Sequence, residues 1–288
     1  MQPTPDPRPV LVAVDPSDSA RDAAVWAAEV AADWSVPLHL LHVVPGRSTD
    51  PPLPPPRWLQ QLDALAVHTG VPDRVHEVVQ GNVVEIVSAR ARDARMVVLG
   101  SYGDTGWSGG LSGPVSIAVV GRVQCPVAVG RGPAPRVAPP RGGPVVVGVD
   151  GSAAGAAALG FGAGLAADLG TSLVAVHAWS GDADDGCAAA WRLLATSIAD
   201  VRRAHPLLPI DQVVEQDTPL RVLYRRAEGA RMLVLGNRGW SAPERTPLSE
   251  TTRSLVESAP CPVVVLHAAV PAAVPVGTHS GPARCPQA

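Results

Sequence analysis

The two halves of the sequence repeat one pattern, and this duplication limits the folds available to the chain. Four strand-like apolar runs return in the same order after 135 or 136 residues. A chain of 288 residues has room for two domains of ordinary size. We therefore predict two consecutive domains of the same fold. The residues that end or open the matched runs are Asp15 and Asp150, His42 and His177, Gly100 and Gly236, and Cys125 and Cys261.

Changes in composition mark the predicted domain boundaries. The first domain is expected over residues 8–131 and the second over residues 144–268. Residues 132–143 are rich in proline, glycine and arginine and lack a periodic apolar face, which is typical of a linker. Residues 269–288 are rich in proline, alanine and glycine, so we predict a disordered tail.

Apolar runs alternate with helix-like stretches within each half. Runs that are apolar on both faces predict strands of a parallel sheet with helices on both faces, a doubly wound α/β fold. Ser17 or Ser19 is expected to cap the first helix, and Asn82 the third. In the first half, strands are expected at residues 10–14, 38–44, 75–79, 96–99 and 127–129, and helices at residues 17–34, 58–68, 83–91 and 115–120.

Composition excludes several classes of function. The 23 basic side chains are all arginine, so neither a lysine Schiff base nor a P-loop lysine is available. A net charge of -3 gives no broad basic field, so we expect neither nucleic acid nor a membrane surface as a partner. The four cysteines contain no CxxC pair, and we expect no metal site. The proline-rich start does not resemble a signal peptide, which favours a cytoplasmic protein.

Glycines follow the fourth predicted strand at a characteristic spacing. Gly100 and Gly103 are followed, after nine residues, by Gly113 and then Pro114. Main-chain N–H groups after such a strand, together with the next helix N-terminus, can hold a phosphate. With the aspartate after the first strand, the histidine on the second and the Cys-Pro before the last, this order resembles the universal stress protein family. The resemblance covers both halves and implies a tandem member.

The resemblance implies a fold, a ligand and a site. Members of the family have a five-stranded parallel sheet of order 3-2-1-4-5 in the nucleotide-binding HUP, or adenine nucleotide alpha hydrolase-like, fold. In members that bind ATP, with Mg, the aspartate and a main-chain position after the second strand hold ribose and adenine. The glycines hold the phosphates, and a nearby serine could add a hydroxyl. The matching residues in the first half are Asp15, Val43, Gly100, Gly103, Gly113 and Ser116.

Both copies depart from the phosphate-binding pattern of the family. Pro114 stands where the family has serine or threonine, so the first site loses a hydroxyl and an N–H donor. In the second copy Ser249 replaces the glycine and Glu250 replaces the hydroxyl residue, which places a carboxylate beside the expected phosphate. We therefore expect weak adenine nucleotide binding in the first domain. The second, degenerate site keeps Asp150, Gly236 and Gly239.

Three functions stay open, and each prominent side chain also has a structural explanation. The leading hypothesis is a non-enzymatic stress-response sensor or adaptor whose protein partner is unknown. The alternatives are a scaffold without nucleotide and a slow ATP hydrolase. Asp15 and Asp150 could merely cap turns, and His42 and His177 could be hydrogen-bonded core residues. The family also pairs domains through the last strand, which implies intrachain pairing here and leaves a homodimer open.

Overall fold

The computed structural model describes residues 7–46, 54–101, 114–132, 137–181, 184–238 and 248–267. The chain divides into two compact units, one formed mainly by Met1–Pro140 and the other mainly by Arg141–Leu255. The predicted tail lies outside the described residues. So do Gly103, Gly113 and Gly239 of the predicted sites.

The first unit is an α/β domain with a parallel sheet, as predicted. Its strands follow the order β3-β2-β1-β4-β5, and neighbouring strands are parallel throughout. A single 3-10 turn at Ala91–Asp93 follows the third helix. The elements are β1 (Val10–Ala13), α1 (Asp18–Asp33), β2 (Leu38–Val44), α2 (Arg57–Val67), β3 (Arg74–Gln80), α3 (Val83–Arg90), β4 (Met96–Gly100), α4 (Pro114–Val120) and β5 (Val127–Gly130).

The second unit repeats the same element order. Parallel pairing gives the strand order β9-β6-β7-β8, which matches β4-β1-β2-β3 of the first unit. The elements are β6 (Val145–Gly148), α5 (Ala153–Asp168), β7 (Leu173–Trp179), α6 (Asp184–Ala204), β8 (Ile210–Gln216), α7 (Pro219–Ala227), β9 (Met232–Gly236), α8 (Glu250–Ser258) and β10 (Val263–Leu266).

Small residues let α1 approach the sheet closely. The helix presents a row of alanines at helical spacing, and each of them is at most 3% exposed. Without long side chains in the way, the helix backbone can pack tightly on β1 and β4, whose residues are almost fully buried. The buried alanines are Ala20, Ala23, Ala24, Ala27, Ala28 and Ala31.

Helix starts follow the predicted caps. The Ser17 side chain accepts a hydrogen bond of 3.1 Å from the N–H of Ala20. Asn82 accepts one of 3.1 Å from the N–H of Glu85. Of the two serines considered for α1, Ser17 is therefore the N-cap.

Among the described residues, every helix is too short or too polar to span a lipid bilayer.

Candidate functional site

Asp15 and Gly100 lie at the same edge of the first sheet. Strand β1 pairs with β2 on one side and with β4 on the other, and Ala13 is in register with both Leu41 and Leu99. The segments that follow β1 and β4 therefore leave the sheet next to each other. This is the point where the strand order reverses, which is where doubly wound folds bind ligands.

Each predicted site aspartate is engaged with a serine two residues further on. One carboxylate oxygen of Asp15 accepts hydrogen bonds from the hydroxyl and from the N–H of Ser17, the latter at 3.0 Å. Asp150 does the same with the hydroxyl of Ser152 at 2.6 Å and its N–H at 3.0 Å. Because each serine caps the following helix, the aspartates fix the turn between strand and helix. This supports the structural explanation for the two aspartates.

Gly100 packs directly against the first turn of α1. A β-carbon at this position would lie 2.9 Å from the main-chain nitrogen of Ala20 and 3.0 Å from the Ser19 hydroxyl. The N–H of Ser101 donates to that hydroxyl at 2.7 Å. The first N–H after the strand is thus used inside the protein rather than directed at a ligand. Sequence reasoning considered Ser19 only as a helix cap and missed its contact with Ser101, because nothing in their spacing shows that they meet.

Ser116 also forms a hydrogen bond within the protein. Its hydroxyl donates to the carbonyl oxygen of Gly100 at 3.0 Å, and the side chain is only 5% exposed. Thr252, at the equivalent position of the second copy, donates to Gly236 at 2.9 Å. The shift of 136 residues in the sequence could have identified Thr252 as this counterpart. In both copies this hydroxyl ties the last helix to the strand-ending glycine.

The strand histidines are hydrogen-bonded within the domain. The Nδ1 atom of His42 lies 2.9 Å from the carbonyl oxygen of Val14, and the His42 ring makes an edge contact with Trp58. His177 approaches the Val149 carbonyl in the same way, at 2.7 Å. A carbonyl accepts only, so each Nδ1 carries a proton. This geometry supports the structural interpretation of both histidines.

A cavity of about 250 Å³ lies at the carboxyl ends of β6, β7 and β9 in the second unit. It is the counterpart of the site predicted at Asp15 and Gly100. Its lining combines an aspartate, an arginine and several hydroxyl groups with apolar side chains. The polar or glycine residues in the described lining are Gly148, Asp150, Gly236, Arg238, Ser249, Thr251 and Thr252.

Ser249 caps the start of α8. The Ser249 hydroxyl accepts a hydrogen bond of 3.1 Å from the N–H of Thr252, which is the bond that an N-cap makes. Glu250 is exposed and lies outside the lining of the cavity. The carboxylate that we expected beside a phosphate is therefore not part of the cavity lining. What obstructs an anion here is the Ser249 side chain, which already occupies a donor at the helix N-terminus.

The described residues contain no group of three or more histidine, cysteine, aspartate or glutamate side chains placed to hold a metal ion.

Comparison with known proteins agrees with the duplicated fold. The sequence profile of the universal stress protein family matches residues 7–131 and again residues 143–267. The chain belongs to the universal stress protein family. It is a tandem, UspA-type member, and each domain has the nucleotide-binding HUP-like α/β fold.

Similar proteins match over nearly the whole chain. Universal stress protein Rv2623 of Mycobacterium tuberculosis is 32% identical over 282 residues, covering 89% of this chain and 95% of the relative. The crystal structure of a universal stress protein from Archaeoglobus fulgidus covers 92% of this chain and 98% of its own, with a TM-score of 0.63 and 20% identity. A putative universal stress protein from Pseudomonas aeruginosa covers 90% and 93%, with a TM-score of 0.65 and 15% identity. The two structures agree with the fold. Family membership supports a role in the stress response.

Proposed function

We propose that this universal stress protein is a non-enzymatic sensor or adaptor that binds adenine nucleotide weakly in its first domain. Nucleotide binding would bias the conformation of the protein and so change its affinity for a protein partner. The second domain would keep the fold of the site and little of its affinity. The observation that carries the proposal is that Asp15 follows β1 and Gly100 ends β4, two neighbouring strands at the reversal point of the first sheet.

The residues of the first domain suit an adenine nucleotide in part. Val43 is the next-to-last residue of the neighbouring strand β2, and its second-domain counterpart Ala178 lines the described cavity. Asp15 and the main chain near Val43 would hold ribose and adenine, and the glycines Gly100, Gly103 and Gly113 would hold the phosphates. Bound Mg would supply charge neutralisation for the phosphates. Pro114 removes one N–H donor from this set, which is why we propose weak binding.

Two features of the second domain support a degenerate site. A cavity of about 250 Å³ is smaller than the roughly 300–1,000 Å³ typical of small-molecule sites. In addition, the Ser249 hydroxyl accepts from the N–H of Thr252, so an anion would compete with the protein for that donor. We therefore propose one nucleotide site per chain.

The hydrogen bonds at the first site support binding rather than catalysis. A nucleophilic serine needs its proton directed at a base. The Ser116 proton is instead directed at the main-chain carbonyl of Gly100, at 3.0 Å. One oxygen of Asp15 already accepts from Ser17. Slow hydrolysis of ATP is the enzymatic alternative, and phosphate release in the presence of Mg-ATP would measure it.

A scaffold without nucleotide is the second candidate, and one observation favours it. The N–H that follows the strand-ending glycine is used within the protein in both domains. Ser101 donates to Ser19 at 2.7 Å, and Asn237 donates to the carbonyl of Leu266 at 2.7 Å. Each domain would then have one donor fewer for a phosphate. The function of a scaffold would lie in its protein surface.

Two substitutions at equivalent positions separate these possibilities. Val115 and Thr251 are each the second residue of the helix that follows the glycine loop, α4 and α8. Val115→Asp and Thr251→Asp each add one carboxylate next to the expected phosphate. With the full chain, millimolar Mg-ATP should raise the melting temperature of the wild type and of Thr251→Asp, but not of Val115→Asp. If ATP shifts the melting temperature of none of the three proteins, a scaffold without nucleotide is the better explanation of the function.

A further inference from the structure

A groove of about 710 Å³ lies at the opposite end of the first domain from Asp15 and Gly100. It is formed where β1 begins, where α3 ends and where α4 leads into β5. Its described lining residues all belong to the first unit. The predicted nucleotide site does not use any of them. Those that carry the argument are Arg8, Ser88, Arg92, Arg122, Val123 and Cys125.

The rim of this groove is positively charged. Arg8, Arg92 and Arg122 come from three separate segments, and all three side chains are exposed. Glu85 is the acidic side chain of the lining. Within the described part of the chain, Arg92 and Arg122 form no ion pair that would neutralise them. Arg92 and Arg122 against the one carboxylate of the described lining, that of Glu85, leave an excess of positive charge in a concave surface, where fields are concentrated.

The floor of the groove is less exposed to solvent than its rim. Cys125 is largely buried, and burial raises the pKa of its thiol to about 11, while the charge of Arg8 acts in the opposite direction. The Ser88 hydroxyl oxygen is buried without a hydrogen-bond partner among the described residues. Val123 adds a buried apolar side chain. A ligand could therefore place an anionic group at the rim and an uncharged body, with one acceptor for Ser88, on the floor.

We propose that this groove binds a small molecule that carries a phosphate group. Guanidinium groups bind phosphate oxygens in pairs of parallel hydrogen bonds, and arginine is the residue best suited to this recognition. The groove has the size of an ordinary small-molecule site. The protein as a whole has a net charge of -3, so the attraction is local. A compact anion fits this pattern better than an extended polyanion does.

The second domain shows that the fold itself does not require these arginines. The arginine positions are occupied there by an uncharged residue in two cases and by an acidic one in the third. Since both domains have the same fold, the arginine cluster is a feature of the first domain and not a requirement of the fold. The residues at the equivalent positions are Gly143 for Arg8, Glu228 for Arg92 and Ser258 for Arg122.

Calorimetric titration of the full chain with inorganic pyrophosphate tests the proposal. We expect one site in this groove, and the double variant R92Q/R122Q should bind at least about tenfold more weakly. The control R57Q/R202Q removes two exposed arginines from α2 and α6, which gives the same change of net charge. Its affinity should stay within about twofold of wild type, since distant exposed charges are screened. Equal weakening in both variants would overturn the proposal.

Alkylation of Cys125 locates the bound anion. Iodoacetamide labelling followed by peptide mass spectrometry gives the modification rate of this thiol. Pyrophosphate at ten times its dissociation constant should slow the reaction about tenfold, because the Cys125 thiol is protected in those molecules whose groove is occupied. Sulfate at the same concentration should protect less. The same experiment with ribose 5-phosphate in place of pyrophosphate distinguishes an organic phosphate from the inorganic ion. The compound that protects Cys125 more strongly at equal concentration is the better model of the ligand. No protection by either phosphate, or equal protection by sulfate, would contradict a phosphate site here.

Discussion

The Ser116 hydroxyl donates a hydrogen bond of 3.0 Å to the carbonyl oxygen of Gly100. Thr252 makes the same bond to Gly236 in the second domain. The two pairs are 136 residues apart in the sequence and have the same geometry. The hydroxyl therefore holds the last helix on the end of the fourth strand in each domain. Its role in both domains is structural, whether or not a nucleotide binds.

Removing this hydroxyl should destabilise either domain. Ser116→Ala removes the donor of a part-buried hydrogen bond, and we expect a loss of about 0.5–1.5 kcal/mol. Thr252→Val keeps the shape of threonine and should cost a similar amount, whereas Thr252→Ser keeps the donor and should cost less. Urea unfolding followed by circular dichroism measures the shift in midpoint. Wild-type midpoints for both Ser116→Ala and Thr252→Val would show that the bond contributes nothing.

Gly100 should not tolerate a side chain. In Gly100→Ala the new methyl group would lie 2.9 Å from the main-chain nitrogen of Ala20, and a helix backbone cannot move aside cheaply. We expect a loss of at least about 2 kcal/mol. Gly160→Ala is the control, because this glycine is exposed in α5 and a β-carbon there meets no atom within 4 Å. It should stabilise the protein by about 0.5–1 kcal/mol.

Thermal melting of the two glycine variants checks this pair of expectations. A melting temperature of Gly100→Ala equal to that of wild type would contradict the close packing of Gly100 on α1. A fall in that of Gly160→Ala would contradict the open environment described for this glycine.

His39 should make stability depend on pH. Burial lowers the pKa of His39 below its ordinary value of 6.5, although the charge of Glu77 opposes this effect. Nε2 of His39 lies 3.1 Å from a carboxylate oxygen of Glu77, which also accepts from Arg90. Below pH 6.5 the unfolded chain binds a proton that the folded protein resists, so stability falls as pH falls towards the lowered pKa.

Replacing His39 isolates its contribution. His39→Gln should show a shallower loss of stability than wild type between pH 6.5 and 4.5, the ordinary values of the histidine and of Glu77. The pKa of Glu77 is lowered by its hydrogen bond with Arg90, so the contribution of Glu77 is lost only below its ordinary value of 4.5 and does not overlap this range. Urea midpoints at several pH values measure both slopes. Parallel curves for the two proteins would contradict the proposed effect of burial.

Much of the fold could be predicted because the same pattern of apolar runs occurs in both halves of the sequence. Apolar runs such as Val10–Ala13 and Leu38–Val44 are buried strands with helical stretches between them, and both patterns are local. The caps Ser17 and Asn82 were also predictable, since capping depends on residues three apart. The edge shared by Asp15 and Gly100 follows from the topology.

The finer structure of the site could not be predicted, because it depends on contacts between distant residues. Ser19 and Ser101 are 82 residues apart, and their hydrogen bond exists only once α1 packs on β4. The sequence suggested repulsion by Glu250, but this side chain is exposed outside the cavity. The direction of a side chain at the start of a helix depends on which residue caps that helix, and Ser249 is the cap of α8.

The number of nucleotides bound per chain, and the domain that binds them, test the account most directly. Calorimetric titration of the full chain with Mg-ATP should give one site. Val115→Asp should weaken it by about tenfold or more, because a carboxylate near a phosphate costs roughly 1–4 kcal/mol. Thr251→Asp should leave the affinity unchanged. No measurable binding by wild type, or a site lost in Thr251→Asp and kept in Val115→Asp, would contradict a nucleotide site in the first domain.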